Sequence, residues 1–159
     1  MIYHSKTKKC VLILENIRSV ENTGSIFRTA QRFGVSKIIL VGTTPAPIDR
    51  FGRRRQDFSK VSLGAEDVDW EYVKEIGPAI DELKNGGFQI ISLEQDPEAK
   101  NIKDFKAPEQ FVLVVGNEVT GISKEVLEIS DTILEIPVEG ERKSLNVSVA
   151  TGVALFMLL

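Results

Sequence analysis

The sequence predicts an α/β domain with a mostly parallel sheet and helices on both faces. Three observations support this. Short apolar runs, Val11-Leu-Ile-Leu-Glu15, Lys37-Ile-Ile-Leu-Val-Gly42 and Gln110-Phe-Val-Leu-Val-Val115, read as buried strands. Segments of helical periodicity stand between such runs, as in βαβ units. Three polar clusters, Asn22-x-Gly24-x-x-x-Arg28, Gly116-Asn117-Glu118 and Ser144-Leu145-Asn146, each follow a strand-like run. Loops leaving the carboxyl ends of parallel strands share one edge of the sheet, so residues about 120 positions apart converge there. One small-molecule or nucleic-acid site built from all three is the expectation.

Val11 to Glu15 opens the sheet, and a helix from Thr23 to about Phe33 follows, capped by Asn22, with Ile26, Ala30 and Phe33 on its inward face. Lys37 to Gly42 completes a βαβ unit. The long connection from Thr43 to Gln56 is expected to be a functional loop. Val68 to Val73 reads as a short strand, and Pro78 suits the first turn of a helix that stops at Asn85-Gly86-Gly87. Phe88 to Leu93 is the next strand, and Gln110 to Val115, the most apolar, is placed at the centre of the sheet. Ser123 caps a short helix through Ile129, Thr132 to Ile136 is the last strand, and Leu145 to Leu159 is the closing helix. No repeat, low-complexity stretch or linker interrupts the pattern, and the 159 residues are read as one domain, 1–159.

The sequence contains no run of 18 apolar residues and no secretory signal, which places the protein in the cytoplasm without a membrane contact. The single cysteine, Cys10, and single histidine, His4, exclude an internal disulfide and supply no zinc ligand set. His4 would be the only base for Ser-His-Asp or Cys-His catalysis, and it sits in the chain end. The net charge of −3 conceals an asymmetry: residues 1–60 hold 12 Lys and Arg against four acidic residues, whereas residues 61–159 hold eight against 19. Arg50, Arg53, Arg54, Arg55 and Lys60 form the densest basic stretch, with Phe51 and Phe58 interleaved. Forked guanidinium donors suit phosphates and flat rings suit bases, so this stretch is the candidate surface for a polyanion such as a nucleic acid, with a solvated loop as the alternative.

Neither G-x-G-x-x-G after the first strand nor G-x-x-x-x-G-K-[ST] occurs, which disfavours the usual dinucleotide fold, a P-loop NTPase and methyltransferases with a glycine-rich first turn. The glycines come late instead, at Gly116, Gly121 and Gly140, where a ligand can approach backbone. Read singly, each is more simply a turn glycine, Asn22 and Asn146 are helix caps, and Glu118 is a surface charge.

Together, ENTGSIFRTAQRFGV, VVGNEVTGIS and IPVEGERKSLNVSVATGVAL resemble, in order and spacing, the three motifs of the TrmH (SpoU) branch of the SPOUT superfamily of RNA ribose 2′-O-methyltransferases. The resemblance covers almost the whole chain and extends to Lys60-Val-Ser-Leu-Gly-Ala-Glu66 and Trp70-Glu71, which are similar to segments of members acting on tRNA. It implies S-adenosylmethionine as methyl donor, a deep trefoil knot at the C-terminal end and an obligate homodimer with shared active sites. Composition and periodicity alone predict an unknotted sheet.

The resemblance further implies that Gly116, Asn117, Ile136, Leu145 and Asn146 bind the cofactor, Ile136 and Leu145 enclosing the adenine, and that Asn22, Glu118, Ser144 and Asn146 organise the catalytic site. It implies Arg28 as the base. Arginine is a fixed cation of pKa above about 12, so an equal reading has Arg28 clamping the neighbouring phosphate while the proton leaves to phosphate oxygen or water. The closing helix supports a dimer independently: Val147, Ala150, Ala154 and Leu158 form one apolar stripe, and Val149, Val153 and Phe156 a second that needs cover from a partner or from the knot. The resulting expectation is a minimal RNA 2′-O-methyltransferase acting on tRNA, without a metal. A ribosomal RNA methyltransferase, a non-catalytic RNA-binding module of the same fold and a flavodoxin-like nucleotide sensor are the alternatives.

Overall fold

The computed structural model describes residues 8–141 and 144–159; His4 lies outside them, as do Arg142 and Lys143 of the third motif. Among the described residues seven strands run in the order β3-β2-β1-β6-β4-β7-β5. They are β1 (Lys9–Glu15), β2 (Lys37–Val41), β3 (Trp70–Val73), β4 (Gln89–Leu93), β5 (Lys100–Asn101), β6 (Gln110–Val115) and β7 (Thr132–Glu135). Every pairing is parallel, and β6 occupies the middle, as its apolar run predicts.

Alternation along the strands explains the two layers of helices, because successive side chains point to opposite faces. Leu12, Leu14, Leu113 and Val115 face one core, with Ile26, Phe27 and Ala30 of α1 (Val20–Phe33), Phe58 of α2 (Gln56–Ser62) and Ala154, Leu155 and Leu158 of α5 (Val147–Leu158). Val11, Ile13, Val112 and Val114 face the other, with Ile80 of α3 (Ile76–Asn85) and Val126 of α4 (Lys124–Ile129). Helices therefore cover both faces. No helix among the described residues is long and apolar enough to cross a membrane.

Several element boundaries differ from the sequence reading. Helix α1 begins three residues earlier than expected, and its cap is Ser19, whose Oγ accepts from the Asn22 N–H at 3.1 Å; Asn22 is not the cap. Ser123 precedes α4 but makes no side-chain cap: its hydroxyl donates to buried Glu15 at 2.6 Å, and its N–H donates to the same carboxylate. Strand β5 and helix α2 were not predicted. The arginine-rich stretch leads into α2, whose Phe58 is fully buried edge-on to Phe27 with ring centres 5.1 Å apart. Such a pair contributes about 0.5–1.5 kcal/mol beyond its burial, and Phe58 is thereby removed from any base-stacking role.

Gly24 sets the distance between α1 and α2. A Cβ there would lie 2.8 Å from Val61 Cβ, so only glycine admits this approach. On its other flank α1 meets α5, where Thr29 abuts Gly152 and Phe33 contacts the Phe156 ring.

Candidate functional site

The carboxyl ends of β4, β6 and β7 open into a cleft of about 480 Å³, walled by residues after those strands and by the entry to α5. Gly116, Asn117, Glu118, Ile136, Ser144, Leu145 and Asn146 all line it. The second and third motifs are thus brought to one site, and the first is tied to them by hydrogen bonds. Asn146 Nδ2 donates to Asn22 Oδ1 at 3.0 Å, and Asn22 Nδ2 donates to Glu118 Oε1 at 3.0 Å. One chain of contacts joins residues separated by 124 positions.

Glu118 is the hub of this network. Its carboxylate also accepts from the Arg18 N–H at 3.1 Å and the Ser19 N–H at 3.3 Å, the donors at the start of α1. Burial acts to raise its pKa, but the hydrogen bonds from Asn22, Arg18 and Ser19 outweigh burial and hold it below the ordinary value, so Glu118 is anionic at neutral pH. Asn146 works on two sides: its Oδ1 caps α5 by accepting from the Ser148 N–H at 2.9 Å while its Nδ2 reaches Asn22. The capping and the site readings of Asn146 hold together.

Gly116 has a structural reason besides the one expected. A Cβ there would lie 2.5 Å from the Ile122 nitrogen and 2.7 Å from the Gly121 oxygen, so the loop folding back on itself demands glycine with no ligand involved. Asn117 braces the same loop, donating to the Asn16 carbonyl at 2.8 Å and accepting from Val119 and Thr120 N–H groups.

Sequence reading missed the acidity of the cleft. Glu94, Glu118 and Glu135 line it, and its described lining contains no lysine or arginine. Glu94 is anchored by the Ile122 N–H at 2.9 Å and the Gln95 N–H at 3.0 Å. Their positions immediately after or at the end of β4 and β7 are the sequence signal, but only the strand order brings them together. Apolar Ile136, Val138, Leu145 and Val147 supply the flat surface a purine needs, and the carboxylates suit a cationic group. The residues present fit S-adenosylmethionine better than a phosphorylated nucleotide, whose charge the lining would repel. No cluster of His, Cys, Asp or Glu among the described residues is arranged to hold a metal.

Arg28 does not line this cleft. It is exposed on α1 and has no ion-pair partner among the described residues, and Arg32 follows it at i+4. Arg50, Arg53, Arg54, Arg55 and Lys60 also lie outside the cleft, on an ordered turn and the exposed side of α2. Asp49 Oδ1 accepts the Phe51 and Arg53 N–H groups, while Arg53 pairs with Asp49 at 2.8 Å and Arg55 with Asp57 at 2.7 Å. Hydrogen bonding lowers the pKa of both aspartates, led by the Arg53 N–H at Asp49 and by the Arg55 side chain at Asp57. Phe51 is 65% exposed with Arg50 and Arg53 stacked at 4.7 and 5.0 Å from its ring centre. Of the two rings in this stretch, Phe51 is the exposed one and Phe58 is buried.

Comparison with known proteins places this geometry in context. Residues 9–156 match the model of the SpoU rRNA Methylase family. A tRNA (guanosine(18)-2′-O)-methyltransferase of Aquifex aeolicus is 29% identical over 158 residues, covering 98% of this chain and 71% of that protein. The crystal structure of the A. aeolicus TrmH/SpoU tRNA modifying enzyme superposes with a TM-score of 0.82 at 31% identity, covering 94% of this chain and 73% of its own. An AdoMet-bound rRNA methyltransferase from Sinorhizobium meliloti gives the same TM-score at 24% identity and shares the fold, with this chain spanning only 55% of its length.

Proposed function

The chain belongs to the SpoU rRNA Methylase family, and we propose that it transfers a methyl group from S-adenosylmethionine to a ribose 2′-hydroxyl of structured RNA, tRNA before ribosomal RNA. The observation that carries this reading is the acidic cleft at the ends of β4, β6 and β7, cross-tied to α1 through Glu118, Asn22 and Asn146. The preference for tRNA rests on the Lys60 to Glu66 segment and on the Aquifex relative.

Ile136, Leu145 and the backbone at Gly116 would hold the adenosyl part, with Glu94 and Glu135 facing its positive charge. When bound, S-adenosylmethionine supplies an electrophilic methyl group. The chain's task is to present a poor nucleophile: the ribose hydroxyl must shed its proton as its oxygen forms the new bond. Arg28 holds the adjoining phosphate with its guanidinium fork and orients the hydroxyl, and the proton leaves to phosphate oxygen or water. Glu118, Asn22 and Asn146 hold the loops in register, and Ser144, exposed at the rim, orders the sugar.

Because Arg28 lies outside the cleft of its own chain, the reading includes a homodimer in which one protomer's arginine serves its partner's cleft. What supports it is the exposed apolar face of α5 beside α1: Val149, Val153, Phe156 and Met157 are all exposed, Phe156 by 72%. The reading also includes a knotted C-terminal path. In its favour, β6, β4 and β7 lie side by side out of chain order, and the segments after β6 and β7 wall the same cleft.

Calorimetry with S-adenosylmethionine, followed by mapping of 2′-O-methylated positions in total RNA with and without the protein, tests the proposal. Micromolar-scale affinity, about −8 kcal/mol, and at least one protein-dependent methylated position are expected. A folded protein that binds the cofactor but methylates no RNA would leave the RNA-binding module as the better account.

A further inference from the structure

The loop from Asn117 to Gly121 divides two recesses of opposite chemistry. On one side lies the carboxylate-lined cleft. On the other is a shallow recess lined by Asn16, Arg18, Thr43, Asn117 and Thr120, without an acidic residue. Asn117 borders both, so a single loop separates them.

The backbone of this second recess is cross-tied. Asn16 takes a left-handed conformation, φ 55°, and its Oδ1 accepts from the Thr43 N–H at 3.1 Å. Its carbonyl accepts from Asn117 Nδ2 at 2.8 Å, and Asn117 Oδ1 accepts from the Thr120 N–H at 2.9 Å. The side chains facing outward are a different matter. Among the described residues the Arg18 guanidinium makes no hydrogen bond or ion pair, although Glu118 accepts from the Arg18 main chain. The hydroxyls of Thr43 and Thr120 likewise have no partner there. A guanidinium and two hydroxyls, held on a braced frame beside a methyl-transfer cleft and not paired with a carboxylate among the described residues, match the oxygens of a phosphodiester.

We propose that this recess binds a phosphodiester group of the RNA substrate, next to the nucleotide that is methylated, with Arg18 and the hydroxyls of Thr43 and Thr120 as donors. The inference rests on the reading of the chain as an RNA methyltransferase. It solves an electrostatic problem that reading creates. A cationic donor and a polyanionic acceptor must meet, and one wall between an acidic and a basic recess lets each be attracted to its own side.

Three measurements test the recess. Arg18→Ala is expected to weaken RNA binding by about 5-fold to 10-fold and to lower the slope of log affinity against log salt by about 1. Arg18→Glu should weaken it further, and Arg18→Lys should restore part, with cofactor affinity by calorimetry and thermal unfolding unchanged throughout. In wild-type protein, a short single-stranded oligoribonucleotide should shift the amide resonances of Thr43 and Thr120 at lower concentration than inorganic phosphate does. Unchanged RNA affinity and salt slope in Arg18→Glu would overturn the proposal. Shifts with inorganic phosphate but none with the oligoribonucleotide would overturn it too, leaving a site for free anions. Absence of methylation on every RNA pool sinks the enzymatic reading instead, and the amide shifts still decide the recess.

Discussion

Asn22 serves two neighbours at once, giving a hydrogen to Glu118 and taking one from Asn146, so its amide is oriented by the site and not by its own helix. Arg28, six residues along the same helix, has no such tether among the described residues, as befits a group whose partner arrives with the substrate. If it acts during methyl transfer, Arg28→Ala should lower kcat by about 100-fold or more with cofactor affinity intact, the mark of an interaction made in the transition state. Arg28→Lys should stay strongly impaired, because a point charge does not replace a fork. Single-turnover kinetics with calorimetry on the same preparations decides this; near-normal methylation by Arg28→Ala removes the residue from the mechanism. At this scale the sequence was legible where chemistry is rare and misleading where residues are interchangeable. Gly116, Glu118 and Asn146 stand in motifs, and all line one cleft. Ser19 and Asn22 are both competent caps, and no local rule reveals that Glu118, some 100 residues away, claims Asn22 and leaves the cap to Ser19. Gly116 has a second reason to be glycine that the sequence does not show, since backbone crowding from Gly121 and Ile122 becomes visible only once the loop is folded.

Helices α1 and α2 depend on one close approach, and Gly24→Ala tests it. Alanine gains about 1 kcal/mol of helix propensity but drives a methyl into Val61, a clash that costs about 1–3 kcal/mol. A net fall in Tm of a few degrees is expected for a chain of this size, measured by thermal unfolding; a rise would mean that α2 slides away freely. Helix α2 escaped prediction because it is seven residues long and buries only Phe58 and Ser62, too little to print a helical period. Strand β5, with two residues, is shorter still. The long runs of β1 and β6 were read correctly because strands covered on both faces are apolar almost throughout. In the turn leading to α2, the ion pairs of Arg53 and Arg55 face solvent, which screens them, so their loss is tolerable. Replacing Arg53, Arg54 and Arg55 with alanine should therefore leave Tm and cofactor affinity in place while weakening RNA binding and flattening its salt dependence. An unchanged salt slope would identify the turn as a solvated loop.

The whole molecule divides its charge unevenly: residues 1–60 hold most of the basic residues and residues 61–159 most of the acidic ones, including those that line the cleft. Its largest unbalanced feature is α5, apolar around its circumference yet covered on one side only. Phe156→Glu, at a 72% exposed position, should shift sedimentation from dimer to monomer and abolish methylation while the monomer still folds. A wild-type protein that sediments as a monomer at micromolar concentration would end the shared-site account. The strand order carries one more consequence, for the nascent chain. Strand β1 pairs with β2 on one edge and with β6 on the other, Lys9 lying opposite Gln110. During synthesis β1, α1 and β2 emerge together, but the second edge of β1 stays open until β6 has been translated, about 4–15 s later at about 5–20 residues per second. Over that interval the apolar run Val11 to Leu14 presents unpaired backbone to any passing strand. A ligand in the cleft cannot shield it, because the walls that follow β6 and β7 have not yet left the ribosome.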